Sequence, residues 1–517
     1  MPHPYSSCAA ASLLVALSLP AQLVGTYTVN PTWPASGTNF VSLAAVHAAL
    51  TTQGVGGPVT VALYDDAGPF TEANPFVAGA GTFSPETAVL VLGSYPGASA
   101  SRRITFRPAA GERVVFDAAG RSMGVFWGGA DYVTLQGIEI RHAIHDAISL
   151  YADGVHGIAQ DPIIDGCRLH DCGGTGVTIY GNTPQPANTV VQNCVLWRLQ
   201  LTNAGGFPTT GRFAYVTTRR TNGTRLLHNT FLADSGTGSS FAVIGAFPSG
   251  ASEAPYAEIS NNVVLKTAGA GKPILRFQSP NGSTALVPPV GESNLFFDLT
   301  ASPFALYGPN AATTAATLAD WQLATGKDLA SLWTDPLLRD AAAHDAHLTA
   351  GSPARGASSV ASPVGMDADR QPRTAPGDVG ADHYGSGDVT AVGSGCAGAG
   401  GQHPTLASSW PWLGDPEYSV HLASAPPQAL GVLFGSLGTS TAPLPLGGGC
   451  AAWLDLATLT ALQPALTSQV GTASFLFVVP ANPAFLGFRL GYQAIVLDAT
   501  APLGLVVSGA LDITFGS

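Results

Sequence analysis

The amino-acid sequence predicts an all-β fold whose larger part is a solenoid, with three short parallel strands in each coil. A pattern recurs six times between residues 136 and 297: a polar residue, Gly or Asn, two variable residues and a large apolar residue. The Gly or Asn lies at positions 137, 166, 193, 229, 262 and 294, which are 29, 27, 36, 33 and 32 residues apart. Spacings of this size are typical of solenoids. Because Gly and Asn enter the left-handed backbone region at low cost, we expect one tight bend per coil.

Each repeat also contains three apolar runs, which predict the three strands of a coil. In the second repeat these runs are residues 162–164, 167–169 and 176–180. Alternation along a strand sends every second side chain inward. It therefore predicts that the second strands of the first three coils contribute these core residues: Ile138, Ile140, Cys167, Leu169, Cys194 and Leu196. Where the bend residue is Asn, we expect its amide to bond to the neighbouring coil and form a ladder. A β-propeller would need four strands and a period of about 40 to 50 residues, which the sequence does not show.

Helices are predicted at both ends of the solenoid. Residues 40–52 have apolar residues at helical spacing, and Gly54 is placed to end that helix. A helix there would cover the exposed core and the unpaired backbone of the first coil. A second amphipathic helix is predicted at residues 312–334, where it would pack over the last coils. Its apolar residues are Leu318, Trp321, Leu329 and Trp333.

The length of the chain and the composition of its segments indicate four parts. A chain of 517 residues suggests two or more domains. A Gly/Ser-rich stretch separates the solenoid from a C-terminal region that has short strand-like runs and frequent turns, which favours a β-sandwich. The predicted parts are a signal peptide at 1–21, the solenoid with its caps at 22–385, a linker at 386–401 and the β-sandwich module at 402–517.

The N-terminus has the character of a secretory signal. Residues 9–19 are apolar but too few to span a bilayer, and cleavage is expected after Ala21. The residues before this run contain no Lys or Arg, so a buried N-terminal strand or helix is the alternative. No other run is long and apolar enough for a transmembrane helix. We therefore expect a secreted protein, extracellular or at the cell surface, without an integral membrane segment.

Composition and charge exclude some partners. Charged residues make up only 10% of the chain, which has 62 Gly and 39 Pro, as suits a rigid β protein with many turns. The net charge of −12 disfavours binding to nucleic-acid phosphates or to an anionic membrane surface. No partner of either kind is expected, and the chain is predicted to be a monomer.

The cysteines predict one disulfide and a buried pair of thiols. Cys396 and Cys450 are expected to pair within the C-terminal module of an exported protein. Cys167 and Cys194 occupy the same place in successive repeats, so a disulfide between stacked strands is conceivable. A reduced, buried stack of small apolar side chains is the favoured interpretation. No Cys/His cluster has zinc spacing.

The repeats between residues 25 and 385 resemble the right-handed parallel β-helix of the pectate-lyase-like superfamily. That resemblance implies the fold but not one activity, because the superfamily includes lyases, hydrolases, epimerases and non-enzymatic surface proteins. Residues 352–356 and 366–382 look like the closing segment of secreted bacterial β-helices. The module that begins at Gly393-Ser394-Gly395-Cys396 resembles C-terminal modules of secreted proteins from planctomycete-type bacteria.

The closing segment offers a weak candidate for calcium binding. Asp367 and Asp369 supply two carboxylates, which are too few for a calcium site. A capped turn with an Asp–Arg pair is the favoured interpretation. No metal or cofactor is therefore predicted.

The third strand of each coil predicts a shallow groove for a sugar chain. With Ile148, Leu150, Val177 and Ile179 facing the core, alternation turns the intervening residues outward. The predicted outward residues are Ser149, Tyr151, Thr178, Tyr180, Tyr215, Thr217 and Arg276. Aromatic rings with polar neighbours suit sugar rings. The alternative is that Tyr merely suits exposed strands.

Turns beside this groove contain residues for acid–base chemistry. A β-elimination on a uronic-acid polymer needs a cation at the carboxylate, a base and a proton donor. The candidates are, in that order, Arg219 or Arg220, His145 or His170, and Tyr180 or Tyr215. A hydrolase would need two carboxylates, for which Asp146 and Asp171 are placed one coil apart. The alternative is that His-Asp pairs simply fill turns.

Taken together, these patterns predict an exported protein that contacts extracellular polysaccharide. It is either a carbohydrate-active enzyme of lyase or hydrolase type, or a non-catalytic surface, adhesive or structural glycan-binding protein. Convergence of His145, Asp146, His170, Asp171 and Arg219 in one cleft beside the Tyr row would favour the enzyme. Their separation would favour binding.

Overall fold

The computed structural model confirms the predicted fold class, an all-β chain in which a right-handed parallel β-helix precedes an antiparallel module. It describes residues 21–77, 86–182, 185–201, 214–235, 242–247, 255–279, 290–358, 364–398 and 400–517. The predicted signal peptide at 1–21 lies almost entirely outside the described residues and stays a prediction.

The β-helix is built from short strands and two α-helices. In chain order the strands are β1 Leu23–Val29, β2 Asn39–Phe40, β3 Val55–Leu63, β4 Asn74–Pro75, β5 Thr87–Leu92, β6 Ile104–Pro108, β7 Val115–Asp117, β8 Met123–Gly128, β9 Val133–Gln136, β10 Glu139–Arg141, β11 Ile148–Ala152, β12 Ile163–Asp165, β13 Arg168–Cys172, β14 Val177–Gly181, β15 Val190–Gln192, β16 Val195–Leu199, β17 Val216–Arg219, β18 Thr224–Leu227, β19 Thr230–Ala233, β20 Ile244–Ala246, β21 Tyr256–Ser260, β22 Val263–Lys266, β23 Leu275–Ser279, β24 Val290–Glu292, β25 Leu295–Asp298, β26 Ala305–Pro309, β27 Thr313–Ala315, β28 Leu332–Trp333, β29 Leu338–Asp340 and β30 Asp345–Leu348. The helices are α1 Leu43–Gln53, α2 Leu318–Thr325 and a 3₁₀ turn at Ala341–Ala343.

Three sheets form the three sides of the β-helix, and each complete coil gives one strand to each sheet. Sheet A has the order β2-β1-β3-β6-β9-β12-β15-β18-β21-β24, sheet B β28-β25-β22-β19-β16-β13-β10-β7, and sheet C β27-β26-β23-β20-β17-β14-β11-β8-β5-β4. Pairing is parallel except at the two ends of sheet C, where β4–β5 and β26–β27 are antiparallel. The three strands per coil are as predicted.

The interior is a set of apolar stacks, one residue per coil. All six predicted core residues of the second strands are fully buried. One stack on sheet B follows the strand register through Ile140, Leu169, Leu196, Phe231, Val264 and Phe296. Fully burying such side chains contributes on the order of 1.5–3 kcal/mol each, so these stacks dominate the stability of the solenoid.

The bends follow the predicted pattern for three coils and then shift by one residue. Positive φ angles lie on Gly137, Gly166 and Asn193, as predicted, but then on residues 228, 261 and 293 rather than on the Asn that follows each of them. The register agrees, because β16 pairs with β19 through Val195 and Thr230. In the later coils the Asn of the repeat therefore lies inside, one position after the bend.

The predicted asparagine ladder is present in these later coils. Nδ2 of Asn229 donates to Oδ1 of Asn262 at 3.0 Å, and Nδ2 of Asn262 donates to Oδ1 of Asn294 at 3.0 Å. The register places Cys167 and Cys194 in the same stack as these Asn residues. Both cysteines are reduced and buried, as favoured from the sequence.

Both ends of the interior have a helix, although the second is shorter than predicted. Helix α1 begins at the N-cap Ser42 and ends at Gly54, and its apolar residues join the main core. Helix α2 has eight residues, Leu318–Thr325, instead of the predicted 312–334. It ends because Gly326 adopts the left-handed conformation. Of its predicted apolar residues, Leu318 and Trp321 are buried, whereas Leu329 and Trp333 are exposed.

The C-terminal module is an antiparallel sandwich. Its strands are β31 Asp388–Val392, β32 Thr405–Ser408, β33 Tyr418–Ala423, β34 Leu430–Ser436, β35 Thr439–Gly447, β36 Cys450–Leu454, β37 Thr460–Leu466, β38 Ala473–Phe477, β39 Arg489–Leu497 and β40 Leu505–Thr514. A sheet β31-β40-β39-β34-β37 and a sheet β32-β33-β38 enclose the core of the module, and β35 pairs with β36. The predicted Cys396–Cys450 disulfide is present.

The predicted linker at 386–401 contains a strand of the module in the part that the structure describes. Strand β31 lies inside this range and pairs antiparallel with β40, so these residues already belong to the module. Composition suggested a linker because the stretch as a whole is rich in Gly and Ser, but the strand itself contains neither and has the β-branched Val and Thr that favour strands.

The module contacts the β-helix rather than hanging free of it. Nε2 of Gln371 donates to the backbone O of Ser517 at 2.7 Å, and the rings of His347 and Trp410 are stacked 4.1 Å apart. Arg107 of β6 lies 3.7 Å from Glu417 of the module. The closing segment therefore touches both parts of the chain.

None of the helices in the described part of the chain combines the length and the apolar character needed to cross a bilayer.

Candidate functional site

The outer face of sheet C carries the predicted aromatic row. The rings of Tyr151 and Tyr180 stack at 5.3 Å, and the guanidinium of Arg219 lies 5.5 Å from the Tyr180 ring centre. Phe126 and Phe76 extend the row, stacked 4.1 Å apart. Tyr151 and Tyr180 are only 7% and 8% exposed, so the row is a packed cluster rather than an open groove.

Of the two other predicted groove residues, Arg276 keeps its outward register on sheet C, whereas Tyr215 does not. Tyr215 does not face outward: it is 1% exposed, belongs to the main core, and its hydroxyl lies 2.9 Å from Oγ of Ser235. It precedes the first residue of β17, so the strand alternation does not extend to it. Arg276 lies on β23 and donates to Gln278 Oε1.

His145 and Asp146 lie at the corner between sheets B and C. Asp146 is 1% exposed, and its Oδ1 accepts from the backbone N–H of Thr175 at 2.9 Å. Burial raises the pKa of this carboxyl. Asp146 therefore ties two coils together and is out of reach of a substrate.

His170 and Asp171 lie on sheet B. Nδ1 of His170 is 2.7 Å from Oδ2 of Asp171, and Nε2 is 3.3 Å from Oε1 of Glu139. A carboxylate already contacts each ring nitrogen of His170, so neither nitrogen is directed toward a substrate. Both partners of the ring are therefore within the protein.

The structure does not bring the predicted catalytic residues together. Tyr151, Tyr180 and Arg219 are on sheet C, His170 and Asp171 are on sheet B, and residues 145–146 lie at the corner between them. The alternative Arg220 donates to Asn182 Oδ1 at 2.8 Å at the far end of β17. No single cleft beside the Tyr row contains the set.

A cavity of about 380 Å³ instead lies over the outer face of sheet B. Outward-facing residues of β10, β13 and β16 form one side of the cavity, which we call its floor. Residues 343–347, 368–369 and 381–382 form the opposite side, which we call its wall. Trp197 lies on the floor, with the His170 ring stacked 4.1 Å away and the His344 ring 5.3 Å away. We call this space the sheet B cavity.

Four arginine–carboxylate pairs lie on or against the outer face of sheet B; Arg113–Glu139 and Arg168–Asp369 line this cavity, whereas the other two lie outside its lining. The pairs are Arg113–Glu139 at 3.2 Å, Arg141–Asp117 at 3.1 Å, Arg168–Asp369 at 3.6 Å and Arg198–Asp171 at 2.9 Å. The Arg side chains are between 30% and 55% exposed, so N–H groups remain accessible at the rim. Burial alone would raise the pKa of Glu139, but His170 and Arg113 bring it down to about 2.

The wall of the cavity contains a group of side chains suited to binding a cation. His347, Asp369 and Asp382 each offer a ligand atom, and these atoms lie within 4.8 Å of one another. Asp367, a calcium candidate in the sequence, is used differently. Its Oδ1 accepts from the N–H groups of Asp369 and Gln371, as expected for a capped turn.

Sequence reasoning missed Glu139 and Trp197, and of the His347 group it named only Asp369, as a weak calcium candidate. The first two had a usable signal, because they occupy outward positions of the second strand in its alternation. The Tyr residues of the third strand form the more conspicuous pattern in the sequence. The His347 group had no such signal, because the closing segment does not repeat and only its folding back over sheet B creates the cavity.

No protein-family model matches the chain, and no curated protein matches it. Among solved structures, the chain is similar to a crystal structure of pectate lyase Pel9A, with 14% sequence identity and a TM-score of 0.30 over 71% of this chain and 98% of that chain. It is also similar to full-length tailspike protein 2 of an Escherichia coli O157:H7 bacteriophage, with 11% identity and a TM-score of 0.28 over 95% of this chain and 68% of that chain. For the enzymatically active domain of a bacteriophage tailspike protein 2 the identity is 10% and the TM-score 0.19, over 94% and 63%. These values bear on neither the activity nor the substrate of this chain.

Proposed function

We propose that the protein is exported and binds an extracellular polysaccharide in the sheet B cavity without cleaving it. The observation that carries this proposal is that two Arg–carboxylate pairs, Arg113–Glu139 and Arg168–Asp369, line the same cavity as Trp197. A sugar hydroxyl both donates and accepts hydrogen bonds, and a guanidinium next to a carboxylate offers it donors and acceptors together. Convergent polar groups in a concave site are what orients a ligand.

Sheet B presents polar side chains on successive coils, as an extended site for a polymer requires. Arg141, Arg168 and Arg198 lie on successive strands β10, β13 and β16, which are spaced at about 4.8 Å. Their register positions differ, since Arg141 pairs with His170 and Arg168 with Val195, so a glycan that crosses the strands would meet different polar groups at each coil. Because the arginines are already paired with carboxylates, the surface favours a neutral, hydroxyl-rich glycan over a uronic-acid polymer.

Non-catalytic binding is favoured over lyase-type or hydrolase chemistry by the placement of the acid–base groups. His170 has a carboxylate at each ring nitrogen, and Asp146 is buried against Thr175. Neither a free base nor a pair of accessible carboxylates lies among the predicted catalytic residues. The protein on this proposal acts as a surface or adhesive glycan-binding protein.

Affinity electrophoresis of the full chain in gels that contain neutral or uronic-acid polysaccharides tests the proposal. We expect retardation by at least one neutral glycan. Trp197→Ala and Arg113→Ala are expected to weaken that binding about tenfold each, equivalent to about 1.4 kcal/mol. Arg225→Ala is the matched control, because Arg225 pairs with Glu258 at 2.7 Å on the opposite-facing sheet A. Its affinity should stay that of the unmodified chain.

The same glycans are incubated with the protein and followed for unsaturated ends by ultraviolet absorbance and for reducing ends. We expect neither to accumulate. Product in either assay would overturn the non-catalytic proposal. If the cavity variants bind the glycan as tightly as the unmodified chain, the sheet B cavity is not the binding site. Export is tested separately by sequencing the N-terminus of the mature protein, which should begin at Gln22.

A further inference from the structure

We propose that His347, Asp369 and Asp382 form a binding site for a zinc-type divalent cation in the wall of the sheet B cavity. His347 lies on β30, whereas Asp369 and Asp382 lie in the closing segment that follows it. Nε2 of His347 lies 3.0 Å from Oδ2 of Asp369. Two atoms bound to one tetrahedral zinc at about 2.0–2.1 Å lie roughly 3.3 Å apart. This pair is therefore spaced as two ligands of one cation are, and the ligand atom of Asp382 lies within 4.8 Å of both.

The His347 ring is held so that Nε2 is directed into the group. Its Nδ1 is in close contact with Oδ1 of Asp345, and the Trp410 ring stacks on its face at 4.1 Å. Metal-binding histidines usually donate their other ring N–H to a carboxylate, which fixes the tautomer and the ring orientation. Asp345 occupies that place here and acts as a positioning residue.

An unpartnered oxygen of Asp382 points independently to a missing ligand. Asp382 is 4% exposed, and its Oδ2 accepts from the N–H of Leu348 at 2.7 Å. Its Oδ1 is buried, with no hydrogen-bond donor among the described residues. A buried carboxylate oxygen without a partner is costly. A cation bound between Asp382, Asp369 and His347 would satisfy it.

The donor set selects the class of cation. One imidazole nitrogen with two carboxylates suits Zn²⁺ and its transition-metal relatives, whereas Ca²⁺ prefers oxygen ligands alone and six to eight of them. Three protein ligands leave at least one coordination position of a tetrahedral ion, which water or a sugar hydroxyl from the cavity would fill. The site does not depend on glycan binding, since each ligand belongs to the wall and not to the floor.

A protonated His347 between Asp345 and Asp369 is the competing arrangement, and metal titration separates the two. The full chain is stripped with a chelator, dialysed and loaded with Zn²⁺, and bound metal is measured by plasma mass spectrometry. We expect one Zn²⁺ per chain. Co²⁺ in place of Zn²⁺ should give the visible absorption of a tetrahedral ion. No bound zinc, or displacement of zinc by equimolar Ca²⁺, would overturn the proposal.

Variants identify the ligands. Asp382→Asn and His347→Gln should each weaken zinc binding at least about 100-fold, and Asp345→Asn about tenfold, as outer partners of metal-bound histidines do. Asp234→Asn is the control, because Asp234 pairs with His344 at 2.7 Å on the same side of sheet B but outside the group. Zinc affinity unchanged in Asp382→Asn, with circular dichroism that matches the unmodified chain, would contradict the assignment. If that variant does not fold, the cobalt spectrum and zinc stoichiometry of the unmodified chain still decide.

Discussion

The backbone N–H of Cys194 donates to Oδ1 of Asn229 in the next coil, at 3.0 Å. The same bond recurs from Asn229 N to Asn262 Oδ1 and from Asn262 N to Asn294 Oδ1, both at 2.9 Å. One interior position thus holds thiols in two coils and carboxamides in the next three. The ladder ends on Asp328, whose Oδ1 accepts from Asn294 Nδ2 at 2.8 Å.

Breaking the ladder at its middle should destabilise the β-helix strongly. Asn262→Ala removes the acceptor for both N–H groups that Asn229 directs to it, in a fully buried position. Each buried group left unpaired costs about 1–3 kcal/mol, so we expect a loss of about 2–5 kcal/mol. Urea unfolding followed by circular dichroism measures it. The exposed Asn222→Ala should change little, and an equal loss in both variants would refute the role of the ladder.

Glu112 is expected to lower stability at neutral and alkaline pH. Burial raises its pKa to about 9, helped by its hydrogen bond to Asp65. The folded state keeps this proton while the unfolded state loses it near its ordinary pKa of 4.5. Stability from this group is therefore present below pH 4.5 and lost as the pH rises toward 9. Glu112→Gln should raise the free energy of unfolding at pH 8 by about 1–3 kcal/mol and leave it unchanged at pH 4. The same change in the free energy of unfolding at pH 4 and at pH 8 would contradict the retention of this proton in the folded state.

His228 should make the β-helix sensitive to acid. Burial, with Arg373 nearby, lowers its pKa to about 3. Below its ordinary pKa of 6.5 the unfolded chain binds a proton that the folded chain does not. Stability is therefore lost as the pH falls from 6.5 toward 3, with a slope of up to about 1.4 kcal/mol per pH unit. The slope gives the number of protons that the chain takes up on unfolding. This number should be smaller by close to one in His228→Asn. The same slope in both proteins would show that another group is responsible.

The disulfide should stabilise the C-terminal module and leave the β-helix unaffected. Cys396 and Cys450 are 54 residues apart in sequence, for which chain entropy predicts about 4 kcal/mol. Replacing both with Ser should lower the unfolding temperature of the module. Limited proteolysis should then cut after residue 400 first, while the β-helix remains intact. If the protease cuts the module and the β-helix at the same time, the module is needed for the β-helix to fold.

The sequence predicted the repeating part of the fold better than the site. Period and alternation placed Ile140, Leu169 and Leu196 in the core because these signals repeat in every coil. They misplaced Tyr215, since a corner interrupts the alternation, and they overextended α2, since Gly326 ends it. The sheet B cavity depends on residues 343–382 folding over distant strands, and no local pattern encodes that contact.

The stack of cysteines makes the central coils accessible to a kinetic measurement. Cys167, Cys172 and Cys194 are fully buried in two adjacent coils, and they are the reduced cysteines within the described residues. A thiol reagent can reach them only when those coils open. The rate of their alkylation under native conditions thus reports how often the middle of the solenoid comes apart, without an inserted label.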